Sequence, residues 1–103
     1  MHVMIRSYAG KGVEELTKLL ISRRSEVEKL ISGVPGFVSY DLVETKDGCF
    51  TVTVCTDKAG TDRSLAVAKE WLKANAAHIS AAAPTVSEGK AHIHIGAKAG
   101  AHA

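Results

Sequence analysis

From His2 to Tyr8 the side chains alternate across an extended chain, with Val3 and Ile5 on one side and His2, Met4, Arg6 and Tyr8 on the other. This is the period of a β-strand. After Gly10-Lys11-Gly12 the spacing changes: Val13, Leu16, Leu19, Leu20, Val27, Leu30 and Ile31 share one arc of a helix, and Glu14, Glu15, Lys18, Ser22, Ser25, Glu26 and Lys29 face away from it. The pattern predicts one amphipathic helix from Val13 to about Ser32. Gly33 is expected to take a left-handed conformation as its cap, and Pro35 marks its end.

Phe37 to Glu44 and Cys49 to Thr56 are rich in β-formers, and Asp47-Gly48 between them is a hairpin signal. Past Asp57-Lys58-Ala59-Gly60 a second helical period runs to about Ile79, with Leu65, Ala68, Leu72, Ala76 and Ile79 on its buried face. Ala91-His92-Ile93-His94-Ile95 alternates again and is the expected fourth strand. The order β-α-β-β-α-β predicts a ferredoxin-like α+β domain over residues 1–95, an antiparallel sheet with two helices on one face, followed by a flexible tail over 96–103. Two short helices cover one face of such a sheet. Both parities of the strands nevertheless carry apolar groups, with Val38, Tyr40 and Leu42 set against Phe37 and Val43. The other face calls for a partner, and an isologous homodimer is the economical one.

Composition narrows the class without naming a reaction. The chain has 103 residues, 46% of them hydrophobic, enough for one core. Thirteen basic residues against eleven acidic ones leave a net charge of +2, too small and too dispersed for a nucleic-acid surface. No apolar run approaches the roughly 20 residues of a membrane span, and no signal-peptide pattern opens the chain, so a soluble cytoplasmic protein with no membrane partner is expected. Cys49 and Cys55 would stand about 20 Å apart on one strand, beyond the about 7 Å a disulfide allows. They are expected to be free buried thiols without chemistry of their own.

Trp71, Asn75 and His78 would share one flank of the second helix, beside its apolar face. Together they could stack a planar ligand on the indole, donate from the amide and exchange a proton through the imidazole. The plainer alternative is a set of ordinary helix-flank residues. Arg23 falls within the apolar arc of the first helix, where a guanidinium either snorkels, pairs with a structural acid or binds an anionic ligand. Tyr8 and Tyr40 offer phenols from strands. His2, His92 and His94 would approach one another if the last strand pairs with the first, but an HxH pair is a weak signal and no metal site is assigned.

The segment Val34-Pro35-Gly36-Phe37-Val38-Ser39-Tyr40-Asp41-Leu42, with Asp47-Gly48, the strand Phe50 to Val54 and Asp57-Lys58-Ala59, resembles the dimeric α+β barrel proteins related to the antibiotic biosynthesis monooxygenases. The element order agrees over about residues 2–95. The resemblance implies a homodimer with a ligand cleft between helices and sheet in each protomer. It also implies a small-molecule-binding protein, in its most specific form a monooxygenase needing no cofactor and acting on a phenolic or quinol-like aromatic substrate. In that mechanism His78, or Tyr40 if it faces the cleft, deprotonates the substrate, Asn75 and Trp71 orient it, and Arg23, Tyr40 and Ser7 contribute to binding. The haem-degrading branch of the group carries an Asn at the end of its first strand and a Trp and a His more widely spaced. Ile5-Arg6-Ser7-Tyr8 has no amide, and only six residues separate Trp71 from His78, so the resemblance does not extend to haem degradation. A non-catalytic ligand-binding or sensing dimer is the alternative.

Overall fold

The computed structural model describes residues 1–96; the tail expected after Gly96 lies outside the described residues. Its elements are β1 (His2–Ala9), α1 (Val13–Ser22), α2 (Arg24–Ser32), β2 (Phe37–Glu44), β3 (Gly48–Cys55), α3 (Lys58–Asn75) and β4 (Thr85–Lys90). The strands form one antiparallel sheet in the order β2-β3-β1-β4. This is the ferredoxin-like arrangement.

Register decides which side chains meet the helices. Across β1 and β3, Met4 faces Thr53, Arg6 faces Thr51 and Tyr8 faces Cys49, and all six are buried. Helices add Leu16, Leu20, Val27, Ile31 and Ala68 to the core, and Ala76 joins it just past the last helix. Each large aliphatic side chain removed from water there contributes about 1.5–3 kcal/mol. The opposite parity forms the second face. Ile5 and Val43 remain 36% exposed on it, beside the partly buried Val3, Phe50 and Val52, so a band of apolar surface lies uncovered in the single chain.

The elements differ from the sequence expectation at several points, each for a local reason. The first helix is two, with a kink at Arg23 (φ −105°, ψ 27°). Hydrogen bonds from Arg23 N to Leu19 O and from Val27 N to Arg23 O bridge the bend, which turns Arg23 outward instead of leaving it on the apolar arc. Gly33 is right-handed at φ −77°; the positive φ falls on Gly36, at +80°, in the turn after Pro35. The last helix stops at Asn75, whose side-chain Nδ2 donates to Trp71 O at 3.0 Å, a local bond that competes with continuing the helix. At its start Asp57 accepts from Gly60 N at 3.0 Å, the usual N-cap bond.

The fourth strand is Thr85–Lys90 rather than Ala91–Ile95. Thr85 to Lys90 fills the free edge of β1 opposite Ser7 to His2, and Ile93 and Ile95 stay 83% and 88% exposed. Alternation registers competence to be a strand; edge pairing goes to the segment that reaches β1 first after α3. A bulge in β2 between Phe37 and Ser39 also brings Phe37, opposite Cys55, onto the same side as Tyr40, opposite Thr53. Phe37 therefore belongs with Tyr40 and Leu42, not against them. Cys49 and Cys55 are free and buried.

The β4 register also places Glu88 between His2 Nε2 at 2.9 Å and Lys58 Nζ at 3.0 Å. Hydrogen bonds from His2 and then Lys58 hold its carboxyl below the ordinary glutamate value. A group with a lowered folded-state pKa stabilises above its unfolded value and loses that contribution as pH falls through the folded one. Acid titration of the melting temperature should therefore show a small step below the ordinary glutamate range that is absent in Glu88→Gln. The step should be small because the group is exposed to solvent.

Candidate functional site

A groove of about 570 Å³ runs between α1–α2 and β2, lined by Leu20, Ile21, Arg24, Val27, Glu28, Ile31, Ser32, Phe37, Tyr40, Asp41 and Leu42. At its inner end lies a hollow of about 20 Å³, bounded by Arg6, Tyr8, Thr51, Ala68, Trp71 and Leu72 together with Leu20, Val27, Leu30, Ile31 and Tyr40. Leu20, Val27, Ile31 and Tyr40 line both spaces. Tyr40 thus stands where the groove meets the hollow.

Sequence periodicity explains the walls. The i, i+4 pair Val27 and Ile31 on α2 and Leu20 on α1 present apolar surface to the sheet, and the inward parity of β1, β2 and β3 brings Arg6 and Tyr8, Tyr40, and Thr51 to the floor. Burial pushes the Tyr8 and Tyr40 phenols above the usual tyrosine range; the Arg6 guanidinium opposes this for both without overcoming it. Both are therefore phenols, able to donate, at neutral pH. Arg6 Nε, Thr51 Oγ1 and Thr53 Oγ1 are buried without a hydrogen-bond partner among the described residues. An orphaned buried polar group costs about 1–3 kcal/mol, so the floor of the cleft is short of acceptors.

The structure brings Trp71 and Tyr40 together at this cleft. The other expected residues stand elsewhere. Asn75 is on the same helix as Trp71, but its amide is spent on the Trp71 carbonyl. His78 lies beyond the end of α3 and is exposed. Arg23 is exposed at the helix kink and pairs with Glu26 at 2.6 Å. Ser7 is exposed and of the outward parity of β1, opposite Phe50 and Thr85. Neither Ser7, Arg23, Asn75 nor His78 lines the groove or the hollow. With β4 ending at Lys90, His92 and His94 fall outside the sheet, and His2 is engaged by Glu88. Arg6 and Thr51 are the floor residues that motif reading passed over. The available signal was the parity that set Arg6 between Met4 and Tyr8 on the inward side of β1.

Neither a family-wide sequence profile nor any curated protein sequence matches this chain. Solved structures do. The ActVA-Orf6 monooxygenase of Streptomyces coelicolor, solved with nanaomycin D, is 16% identical with a TM-score of 0.67, over 94% of this chain and 92% of that one. SnoaB of Streptomyces nogalater, a cofactor-independent oxygenase, is 17% identical with a TM-score of 0.61, over 91% and 95%. An MhuD variant holding two manganese protoporphyrin IX molecules per active site is 16% identical with a TM-score of 0.68, over 93% and 99%. The chain therefore has the fold of the antibiotic-biosynthesis-monooxygenase-like proteins, and two of these three neighbours were solved holding a small molecule.

Proposed function

We propose that this protein binds a planar phenolic or quinol-like molecule in the groove between α1–α2 and β2, and does so as a homodimer closed through the open sheet face. One observation carries the reading: a groove of about 570 Å³, within the size range of small-molecule sites, narrows past Tyr40 to a hollow walled by Trp71. A flat ring can lie against the aliphatic wall of Leu20, Val27 and Ile31 and stack at its inner edge on the indole. The apolar band around Ile5 and Phe50 supports the dimer, since sheet-on-sheet contact would cover it.

In the catalytic form of the reading, the bound aromatic reacts directly with O₂. A ring C–H ortho or para to the hydroxyl becomes C=O as the phenol becomes a quinone: one oxygen atom of O₂ is retained, and the other leaves as water with the ring hydrogen and the hydroxyl hydrogen. Tyr40 donates a hydrogen bond to the substrate oxygen rather than acting as base, because burial keeps it protonated. The alternative, a ligand-binding or sensing dimer without turnover, is favoured by one observation: the hollow's lining holds no side chain that accepts a proton at neutral pH, and the carboxylates Glu28 and Asp41 lie out in the groove.

Trp71 is the single tryptophan of the chain, so its fluorescence reports on this site alone. Two-ring and three-ring hydroxyaromatics should quench it saturably. Trp71→Ala should weaken their binding, measured by calorimetry, by about tenfold, near the upper end of what one aromatic stack contributes. Oxygen uptake with the same panel separates the catalytic form from the binding form. Absence of both quenching and oxygen uptake across the panel would refute the reading.

A further inference from the structure

Arg6 is 2% exposed, and its Nε donates to nothing among the described residues. Its guanidinium is also without an ion pair there: the carboxylates that pair do so with His2, Lys18, Arg23 and Lys58. A buried cation lacking a counter-charge is unfavourable unless something supplies the anion. The surroundings do not. Around the hollow the helices bring Leu20, Val27, Ile31 and Trp71, none of which titrates or carries a charge. From the strands come Tyr8 and Tyr40, held as neutral phenols by burial, and Cys49, a buried thiol.

A second orphan stands beside the first. Thr51 faces Arg6 across the β1–β3 ladder, lines the same hollow, and its Oγ1 is likewise unpartnered. Two side chains, each with an unpartnered polar atom, thus line a space of about 20 Å³, room for one oxygen-sized atom. A carboxylate or phosphate carries too many atoms for it. A single oxygen projecting from a ring does not, and the ring itself has the adjoining groove.

We propose that the Arg6 guanidinium and Thr51 form a seat for one anionic oxygen, so that the ligand is a hydroxyaromatic taken as its phenolate, oxygen in the hollow and rings in the groove. This rests on the groove reading above and narrows its ligand class to molecules with an ionisable ring hydroxyl. Seating the phenolate on Arg6 moves the proton to solvent as part of binding. The hollow then needs no base of its own, and the ring is delivered in the electron-rich form that reacts with O₂.

The test uses the whole chain and 4-nitro-1-naphthol, a two-ring phenol whose ionised form is coloured. Its absorbance is titrated against pH free and bound, with 1-methoxy-4-nitronaphthalene as the non-ionisable counterpart. The bound naphthol should ionise at least about one pH unit lower than the free one, which means that the phenolate binds about tenfold tighter than the phenol. Arg6→Met should abolish the shift, Arg6→Lys should retain part of it, and Thr51→Val should reduce it. The methoxy compound should bind at least tenfold more weakly than the naphthol at neutral pH. Because the shift is read in the unaltered protein, a folding defect in Arg6→Met leaves the test standing. Binding that quenches Trp71 with an unchanged or raised ionisation would overturn the oxyanion seat while leaving the groove reading intact. Quenching by neither compound would overturn both.

Discussion

Gly48→Ala should destabilise the domain by about 2–4 kcal/mol, the range of a core overpacking that cannot relax. A Cβ at Gly48 would run into the carbonyl oxygen of Tyr8, and that carbonyl belongs to β1, the strand held on both edges by β3 and β4. The clash is with backbone, so no rotamer change relieves it. β1 must shift or the hairpin must open at its start, and either movement displaces Tyr8 from the hollow. Urea unfolding of the purified variant measures the loss. Gly89→Ala, in β4 of the same sheet, meets nothing within 4 Å and should change stability by less than about 0.5 kcal/mol. Equal effects at the two glycines would show that the close approach at Gly48 does not constrain the sheet.

Ile5→Lys should convert the proposed dimer into a folded monomer. In the single chain Ile5 is already 36% exposed, so a lysine there can reach water and the protomer should keep its melting behaviour within the usual range for surface changes. Across a two-fold interface the same substitution buries a charge from each copy: its neighbours across the ladders, Val52 and Ser87, carry none, and the carboxylate in that row, Asp41, is two strands away on β2. An unpaired buried charge costs about 3–5 kcal/mol. The dimer dissociation constant should therefore rise by at least about a thousandfold, read by sedimentation equilibrium. A native protein that is monomeric at micromolar concentration, or an Ile5→Lys variant that associates as the native chain does, would refute closure through this face.

Period-2 and period-3.6 patterns carried the architecture because each core element buries one face. β1 and the Asp47-Gly48 hairpin were legible on that ground; on α3 the expected stripe held only at Ala68, with Leu65 and Leu72 half-buried, and Gly60, Thr61 and Ser64 make up the rest of the buried face. β4 was not: all six of its residues are exposed in the single chain, so no burial pattern marks it, whereas the alternating His92 to Ile95 advertises a strand that the β1 edge does not use. The helix kink had a further effect. A straight helix places Arg23 among apolar residues and nominates it as the unusual buried arginine; the bend releases it to Glu26, and the arginine that is truly enclosed is Arg6. Trp71 and Tyr40 could be nominated from sequence because aromatic residues on the expected faces have few other places to go. Thr51 could not, since a threonine in a strand reads as a β-former, and its role depends on being opposite Arg6 in the register.

The alternation along β1 has an evolutionary corollary. Ile5 and Arg6 are neighbours in sequence but serve opposite sides of one sheet, so deleting or inserting a single codon within His2–Ala9 would exchange them. An isoleucine would then sit under Trp71 and a guanidinium would protrude from the apolar band. Such a frame-preserving lesion alters no residue type, yet it should abolish both surfaces at once. Length variation among descendants of this chain is therefore expected in the turn at Thr45 to Asp47 and in the loop between Asn75 and Thr85, while β1 drifts by substitution alone.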